Sequence, residues 1–103
     1  MKRRKPKYLL RVPDEMAVLI RRLHPIIKSQ IRSAFQTILE NPQCGKNLKE
    51  ELHGLRSYRV KKYRIIYRLV NEKKELEIVA IGPRRNIYEE TFKIISKEET
   101  SQT

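Results

Sequence analysis

The residues best suited to chemistry lie in the second half of the chain, and they are cations joined by one tyrosine. Between Leu55 and Arg68 the chain carries several Lys and Arg and no Asp or Glu, and more arginines and a tyrosine follow Gly82. Guanidinium groups bind phosphate through paired hydrogen bonds, so this pattern favours recognition of a phosphodiester. The candidate RNA-binding residues are Arg56, Arg59, Lys61, Arg64, Arg68 and Arg85, and Arg84 and Tyr88 join them as candidates for chemistry.

The charge of the whole chain supports an anionic partner. There are 24 Lys and Arg against 12 Asp and Glu, which gives a formal net charge of +12 and an isoelectric point near 10.1. Nucleic acid, an anionic membrane and an acidic protein are the partners that such a charge indicates. The cations lie on predicted strands, whereas interfacial membrane binders carry them on an amphipathic helix, so we expect RNA and no membrane partner.

Other kinds of site have little support in the sequence. There is no carboxylate pair, no His/Cys cluster with metal-ligand spacing and no glycine-rich phosphate loop, so we predict neither a metal nor a small-molecule cofactor. His53 is a weak candidate for a general base, and we expect a surface loop histidine. The lone Cys44 is typical of a reducing compartment. No apolar stretch reaches the length of a membrane span, so a cytoplasmic location is expected.

The first half of the chain predicts one short strand and two helices. Tyr8 to Val12 is apolar and ends at Pro13, as a first strand would. A helix should begin at Pro13-Asp14, and a second should run from Pro25 to Asn41-Pro42, because apolar residues in both recur with a period of 3.6. The tight connection at His24-Pro25 predicts that the two helices form an antiparallel hairpin.

The second half changes to a period of two. Two strands are predicted between Leu55 and Leu69, a polar turn at 71–74, and a third strand from Leu76 to Gly82-Pro83. Near-helical apolar spacing predicts a final helix from Asn86 to about Ser96. We expect the basic arm 1–7 and the polar tail 97–103 to be flexible, and the loop from Pro42 to Gly54 has room for a turn of helix.

These elements indicate one α+β domain covering residues 1–103. The order is β-α-α-β-β-β-α, with an antiparallel sheet and the helical hairpin packed on one of its faces. If Tyr58, Tyr63 and Tyr67 point into the helical layer, alternation places Arg59, Arg64 and Arg68 on the opposite face. The sequence therefore predicts an open, basic face.

The same segment carries a family resemblance. The stretch LHGLRSYRVKKYRIIYRLVNEKKELEIVAIGPRRNIYEETFKII is similar to the C-terminal half of the RelE/ParE toxin superfamily. The family pattern has a Y-R-V strand, a Y-R-I-I-Y strand, a hairpin, and a strand that ends in Gly before an Arg and an I-Y pair. The preceding helical hairpin, which ends in Asn41-Pro42, fits the rest of that fold.

The resemblance implies a toxin of a type II toxin–antitoxin pair. RelE-like members are metal-independent endoribonucleases that cut mRNA in the ribosomal A site by attack of a ribose 2′-OH on the adjacent phosphate. Matched by position, Lys61, Arg64, Arg84 and Tyr88 would be catalytic. Arg64 and Arg84 would stabilise the charge of the phosphorane, Lys61 would act as base, and Tyr88 would orient or stack on a nucleobase. The expected partners are an acidic antitoxin and mRNA on the ribosome, with contacts to rRNA.

Two departures from the family pattern keep other functions open. Pro83 replaces the usual His or Lys before the arginine, which removes a possible proton donor. Arg56 stands where the family often has an aromatic residue. The ParE branch shares the frame but inhibits DNA gyrase without cutting RNA, and an inactive RNA-binding or ribosome-binding module is a third possibility.

Overall fold

The computed structural model describes the backbone of residues 7–101 and the side chains of residues 7–98. The chain forms α1 (Asp14–Arg21), α2 (Pro25–Glu40), a 3₁₀ helix (Glu50–Leu52) and α3 (Ile87–Ser101). Its strands are β1 (Leu9–Arg11), β2 (Lys46–Asn47), β3 (Arg56–Val60), β4 (Tyr63–Val70) and β5 (Glu75–Pro83). The predicted α+β order is confirmed, with β2 and the 3₁₀ helix added in the loop after α2.

Local sequence explains where the helices begin. Pro25 occupies the first turn of α2, where its missing N–H is no loss. His24 precedes it as N-cap, and its Nδ1 accepts a hydrogen bond from the backbone N of Ile26 at 3.1 Å. His24 is therefore structural. Pro13 stands in the corresponding place before α1, and Asp14 and Glu15 fill its first turn, where acidic side chains complement the helix dipole.

The sheet has five strands in the order β1-β5-β4-β3-β2. The predicted meander of β3, β4 and β5 is antiparallel throughout. Strand β1, however, pairs in parallel with the start of β5, with Leu10 opposite Leu76. The expectation of a purely antiparallel sheet was therefore wrong. The two helices and two further strands of the meander separate β1 from β5 along the chain, and such a long connection allows two neighbouring strands to run in the same direction.

One sheet face packs against α1 and α2, as the alternation predicted. Ile31 and Ile38 from α2 meet Ile65, Tyr67 and other buried residues of the strands in one apolar core. Tyr58, Val60 and Tyr63 lie partly buried at its margin. The aromatic side chains of β3 and β4 thus belong to the core and its edge.

The opposite face is not open. Helix α3 covers its centre, where Ile87 packs with Leu55, Ile66, Val79 and Ala80 in a second apolar core. A β-bulge between Ile66 and Tyr67 interrupts the register with β5, so Val79 and Ala80 both lie in this core. The prediction of an open, basic face was therefore wrong, because α3 covers the centre of that face.

The ends of the chain differ in part from expectation. Helix α3 continues beyond the predicted end near Ser96 to Ser101, so the predicted flexible tail 97–103 is helical over most of its length. Residues 1–6 and 102–103, which include most of the predicted basic arm, lie outside the described residues. Within residues 7–101, no helix is both long and apolar enough to cross a membrane.

Candidate functional site

A basic concavity forms where the β3–β4 turn meets the loop after β5. Val60 and Tyr63 pair, which leaves Lys61 and Lys62 as a two-residue turn. Lys61 adopts a φ of 56°, a left-handed conformation that costs a side-chain-bearing residue roughly 1 kcal/mol. The backbone N–H of Arg84 donates to the carbonyl O of Lys62 at 2.8 Å. This hydrogen bond holds the loop that carries Arg84 and Arg85 against the turn.

The concavity has a volume of about 680 Å³ and a lining that is almost wholly cationic. Its lining residues are Arg59, Lys61, Lys62, Pro83, Arg84 and Arg85. Arg59 is oriented by its Nε, which donates to the carbonyl O of Lys61 at 3.2 Å. No carboxylate lines this concavity, so its positive charge is available to an anionic ligand.

A second group lies next along β4, on the face that α3 covers. Arg64 Nη1 donates to Ser57 Oγ at 3.0 Å, and the hydroxyl of Tyr88, from the first turn of α3, donates to the same oxygen at 3.3 Å. The Arg64 guanidinium also lies 6.0 Å from the centroid of the Tyr88 ring, within range of a cation–π contact. Two predicted catalytic residues are thus joined through Ser57.

Arg64 keeps one polar group without a partner. Its Nε is buried and makes no hydrogen bond within the described part of the chain. A buried unpaired donor costs about 1–3 kcal/mol, so such a group in a native protein needs a reason, and a binding or catalytic role is one. Arg64 is therefore held in place with an unused donor, which suits a residue that binds an anion.

Two of the predicted RNA-binding residues are committed elsewhere. Arg68 donates from Nε to Glu77 at 2.6 Å and also pairs with Glu98 of α3 at 3.5 Å, so it ties α3 to the sheet. Arg56 donates from Nη1 to the carbonyl oxygens of Gln43 at 3.2 Å and Gly45 at 2.9 Å. Both residues have structural partners and lie outside the concavity.

The structure therefore sorts the predicted site residues into three sets. The first set lines the concavity and consists of Arg59, Lys61, Arg84 and Arg85. The second set is Arg64 and Tyr88, which both donate to Ser57. The third set is Arg56 and Arg68, whose hydrogen bonds are structural. Sequence reasoning missed Lys62 and Ser57 as site residues. The position of Lys62 in a two-residue turn was a usable signal, whereas nothing in the sequence indicated that Ser57 meets Tyr88.

Tyr67 supports the loop between α2 and β2. Its buried hydroxyl donates to the carbonyl O of Pro42 at 2.7 Å and accepts from the N–H of Gly45 at 2.9 Å. Burial raises the pKa of Tyr67 from 10.0 to about 12, so the phenol stays protonated. His53 is exposed in a loop, as expected. The described residues contain no group of three or more His, Cys, Asp or Glu placed to hold a metal ion.

Comparison with known proteins gives a match to one protein family and to several solved structures. A family model described as the ParE toxin of the parDE type II toxin–antitoxin system matches residues 9–88. No curated protein sequence gives a match.

Solved structures with similar folds come from bacteria and an archaeon. The free form of an Escherichia coli RelE toxin mutant superposes with a TM-score of 0.73 at 18% identity, covering 89% of this chain and 97% of that chain. The toxin–antitoxin complex RelBE2 of Mycobacterium tuberculosis gives 0.67 at 29% identity, covering 76% and 99%. The RelE–RelB complex of Pyrococcus horikoshii gives 0.64 at 19% identity, covering 77% and 97%.

Proposed function

Because the chain belongs to the ParE toxin family of type II toxin–antitoxin systems, within the RelE/ParE superfamily, we propose that it is the toxin of such a pair and acts as an endoribonuclease on mRNA. The observation that carries the nuclease proposal is the acid-free cationic concavity beside the Arg64–Ser57–Tyr88 group. A toxin that acts by binding a protein target does not need so many phosphate-binding side chains around one concavity.

The proposed reaction is attack of a ribose 2′-OH on the adjacent phosphorus. The new O2′–P bond forms as the P–O5′ bond breaks, which leaves a 2′,3′-cyclic phosphate and a 5′-hydroxyl. Lys61 takes the 2′ proton when its amine is neutral, and the departing 5′-oxygen takes a proton from water. The charges and atoms balance without a metal or cofactor.

Arg64 and Arg84 stabilise the transition state in this proposal. Negative charge grows on the phosphorane oxygens, and fixed cations stabilise it more than mobile water does because they need no reorganisation. The guanidinium of Arg64 is held by Ser57, and the loop that carries Arg84 is held against the β3–β4 turn by the backbone bond to Lys62. Tyr88 lies beside Arg64 and would stack on, or orient, the nucleotide whose 2′-OH attacks.

Two partners follow from this proposal. The substrate is mRNA in the ribosomal A site, where Arg59 and Arg85 contact the RNA backbone and other surface cations meet rRNA. The inhibitor is an acidic antitoxin, because a toxin with a net charge of +12 is neutralised most directly by carboxylates. Two of the structural relatives are complexes with RelB-type antitoxins. Action on the ribosome requires a cytoplasmic location.

The test is brief induction of the protein in a bacterial cell, followed by mapping of new mRNA 5′ ends. We expect cuts within translated codons for the wild-type protein and loss of both cuts and growth arrest for Arg64→Ala and Arg84→Ala. Arg21→Ala, an exposed arginine on α1, is the matched control and should remain toxic. Wild-type toxicity in both site variants would exclude the proposed site.

Inhibition of DNA gyrase is the second candidate function, and the description of the matching family as ParE favours it. Plasmid supercoiling and gyrase-linked DNA breaks should therefore be followed in the same cultures. Breaks with intact mRNA would assign the protein to gyrase inhibition. Stable growth with neither effect would indicate an inactive RNA-binding or ribosome-binding module.

A further inference from the structure

Ser57 lies at the meeting point of β3, β4 and α3. It is 2% exposed, pairs across the sheet with Ile66, and faces the second apolar core beneath α3. Its hydroxyl oxygen accepts from Arg64 Nη1 at 3.0 Å and from the hydroxyl of Tyr88 at 3.3 Å. A small polar residue in an apolar layer thus joins two side chains that come from different elements.

These two bonds account for the full acceptor capacity of the serine. A hydroxyl oxygen offers two lone pairs, and here one receives the guanidinium and the other the phenol. Within the described residues, neither Arg64 nor Tyr88 has another side-chain hydrogen bond. We propose that Ser57 is a positioning residue that fixes Arg64 and Tyr88 relative to each other in the toxin's active site; this inference rests on the proposed nuclease function.

The geometry explains why a positioning residue is needed. Arg64 has a long, flexible side chain, and its Nε has no hydrogen-bond partner among residues 7–98 to restrain it. Tyr88 lies in the first turn of α3, and the centroid of its ring is 6.0 Å from the Arg64 guanidinium. The hydroxyl of Ser57 is the hydrogen-bond partner that the two side chains share. Because Ser57 is buried in β3, it can hold both groups in a defined position relative to the sheet.

The kinetic test compares Ser57→Ala with the wild-type protein on a ribosome-bound mRNA. Displacing groups that act on the transition state lowers kcat more than it raises KM, and a misplacement of about 1 Å can cost on the order of 100-fold. We therefore expect kcat to fall about 10- to 100-fold with KM little changed. Ser57→Thr keeps the hydroxyl and should recover part of the rate.

A double-mutant cycle separates positioning from general damage to the fold. If Ser57 acts through its two partners, Ser57→Ala should have little further effect on the residual single-turnover rate of cleavage, measured in vitro at high enzyme concentration, in an Arg64→Ala/Tyr88→Phe background. A purely structural role would lower the residual activity by the same factor in both backgrounds, and that result would overturn the inference.

A spectroscopic measurement keeps the inference testable whether or not the protein is a nuclease. The side-chain ¹⁵N resonance of the Arg64 Nε–H should report a restrained guanidinium in the wild-type protein and a mobile one in Ser57→Ala. A guanidinium that stays restrained would refute positioning by Ser57, and so would unchanged cleavage with a mobile Arg64. Mobility in Ser57→Ala, with no RNA cleavage by the wild type, would reject the nuclease while supporting the positioning role.

Discussion

If the concavity binds RNA as proposed, the salt dependence of that binding measures how many of its cations contact phosphate. Five cationic side chains line it: Arg59, Lys61, Lys62, Arg84 and Arg85. Each phosphate neutralised on a single strand releases counterions, which contributes about −0.7 to the slope of log affinity against log salt. Five such contacts give a slope of about −3.5 and an affinity loss on the order of 100-fold between about 50 and about 200 mM salt.

Arg84→Ala removes one contact and should change the slope to about −2.8, which reduces that affinity loss to on the order of 50-fold. Arg68→Ala should leave the slope unchanged, because Arg68 is already paired with Glu77 and Glu98. Arg21→Ala lowers the net charge by the same amount without touching the concavity, so it separates a local contact from the field of the whole protein.

The assay is fluorescence anisotropy with a labelled single strand whose 2′-hydroxyls are methylated, so that binding is measured without cleavage. Full salt titrations of the wild type and the three variants give the slopes. If Arg84→Ala and Arg21→Ala shift the slope equally, or if Arg68→Ala shifts it most, the concavity is not where phosphate binds and our assignment of the site is refuted.

Three further predictions concern the scaffold. Tyr67→Phe should lower the free energy of unfolding by about 2 kcal/mol at neutral pH, since it leaves the Gly45 N–H unpaired. The pKa of Tyr67 is about 12 in the folded protein and 10.0 ordinarily, so this stabilisation is complete below pH 10 and is lost as the pH rises towards 12. In urea unfolding, the free energies of unfolding of the wild type and Tyr67→Phe should therefore converge near pH 12. Gly45→Ala places a Cβ 2.5 Å from the Tyr67 hydroxyl oxygen and should cost about 2–4 kcal/mol by the same measurement, whereas a cost below about 0.5 kcal/mol would mean that the loop yields freely. Lys61→Gly relieves the left-handed backbone and should raise stability by up to about 1 kcal/mol while reducing RNA cleavage; unchanged cleavage would remove Lys61 from the mechanism.

Periodicity in the sequence was enough to predict the helices and the meander, because each is determined by residues close together in the chain. The parallel pairing of β1 with β5 was missed since it joins Leu10 to Leu76, and no local pattern encodes that contact. One residue in the sequence did indicate that α3 covers the second face of the sheet. Ile66 lies among the cations of β4 but faces the side predicted to be open, and an apolar residue there needs a partner.

The candidate site was predictable as a set of residue types but not as an arrangement. Arg59, Lys61, Arg84 and Arg85 come together because the backbone N–H of Arg84 binds the carbonyl of Lys62, a contact between chain segments more than twenty residues apart. Arg56 and Arg68 matched the same cationic pattern, but Arg56 donates to the carbonyl oxygen of Gly45 and Arg68 donates to the carboxylate of Glu77. Charge alone does not distinguish a paired arginine from an available one.

The arrangement also explains how the fold tolerates its charge. Arg59 and Arg64 stand directly opposite each other on β3 and β4, where like charges destabilise a sheet. Their side chains diverge: Arg59 turns to the carbonyl of Lys61 at the rim, and Arg64 turns to Ser57 and Tyr88 under α3. Among the described residues, no carboxylate pairs with either guanidinium. Under the proposed function, a phosphate of RNA that contacts both arginines would reduce the repulsion between them, and a carboxylate of an antitoxin would compete for that position.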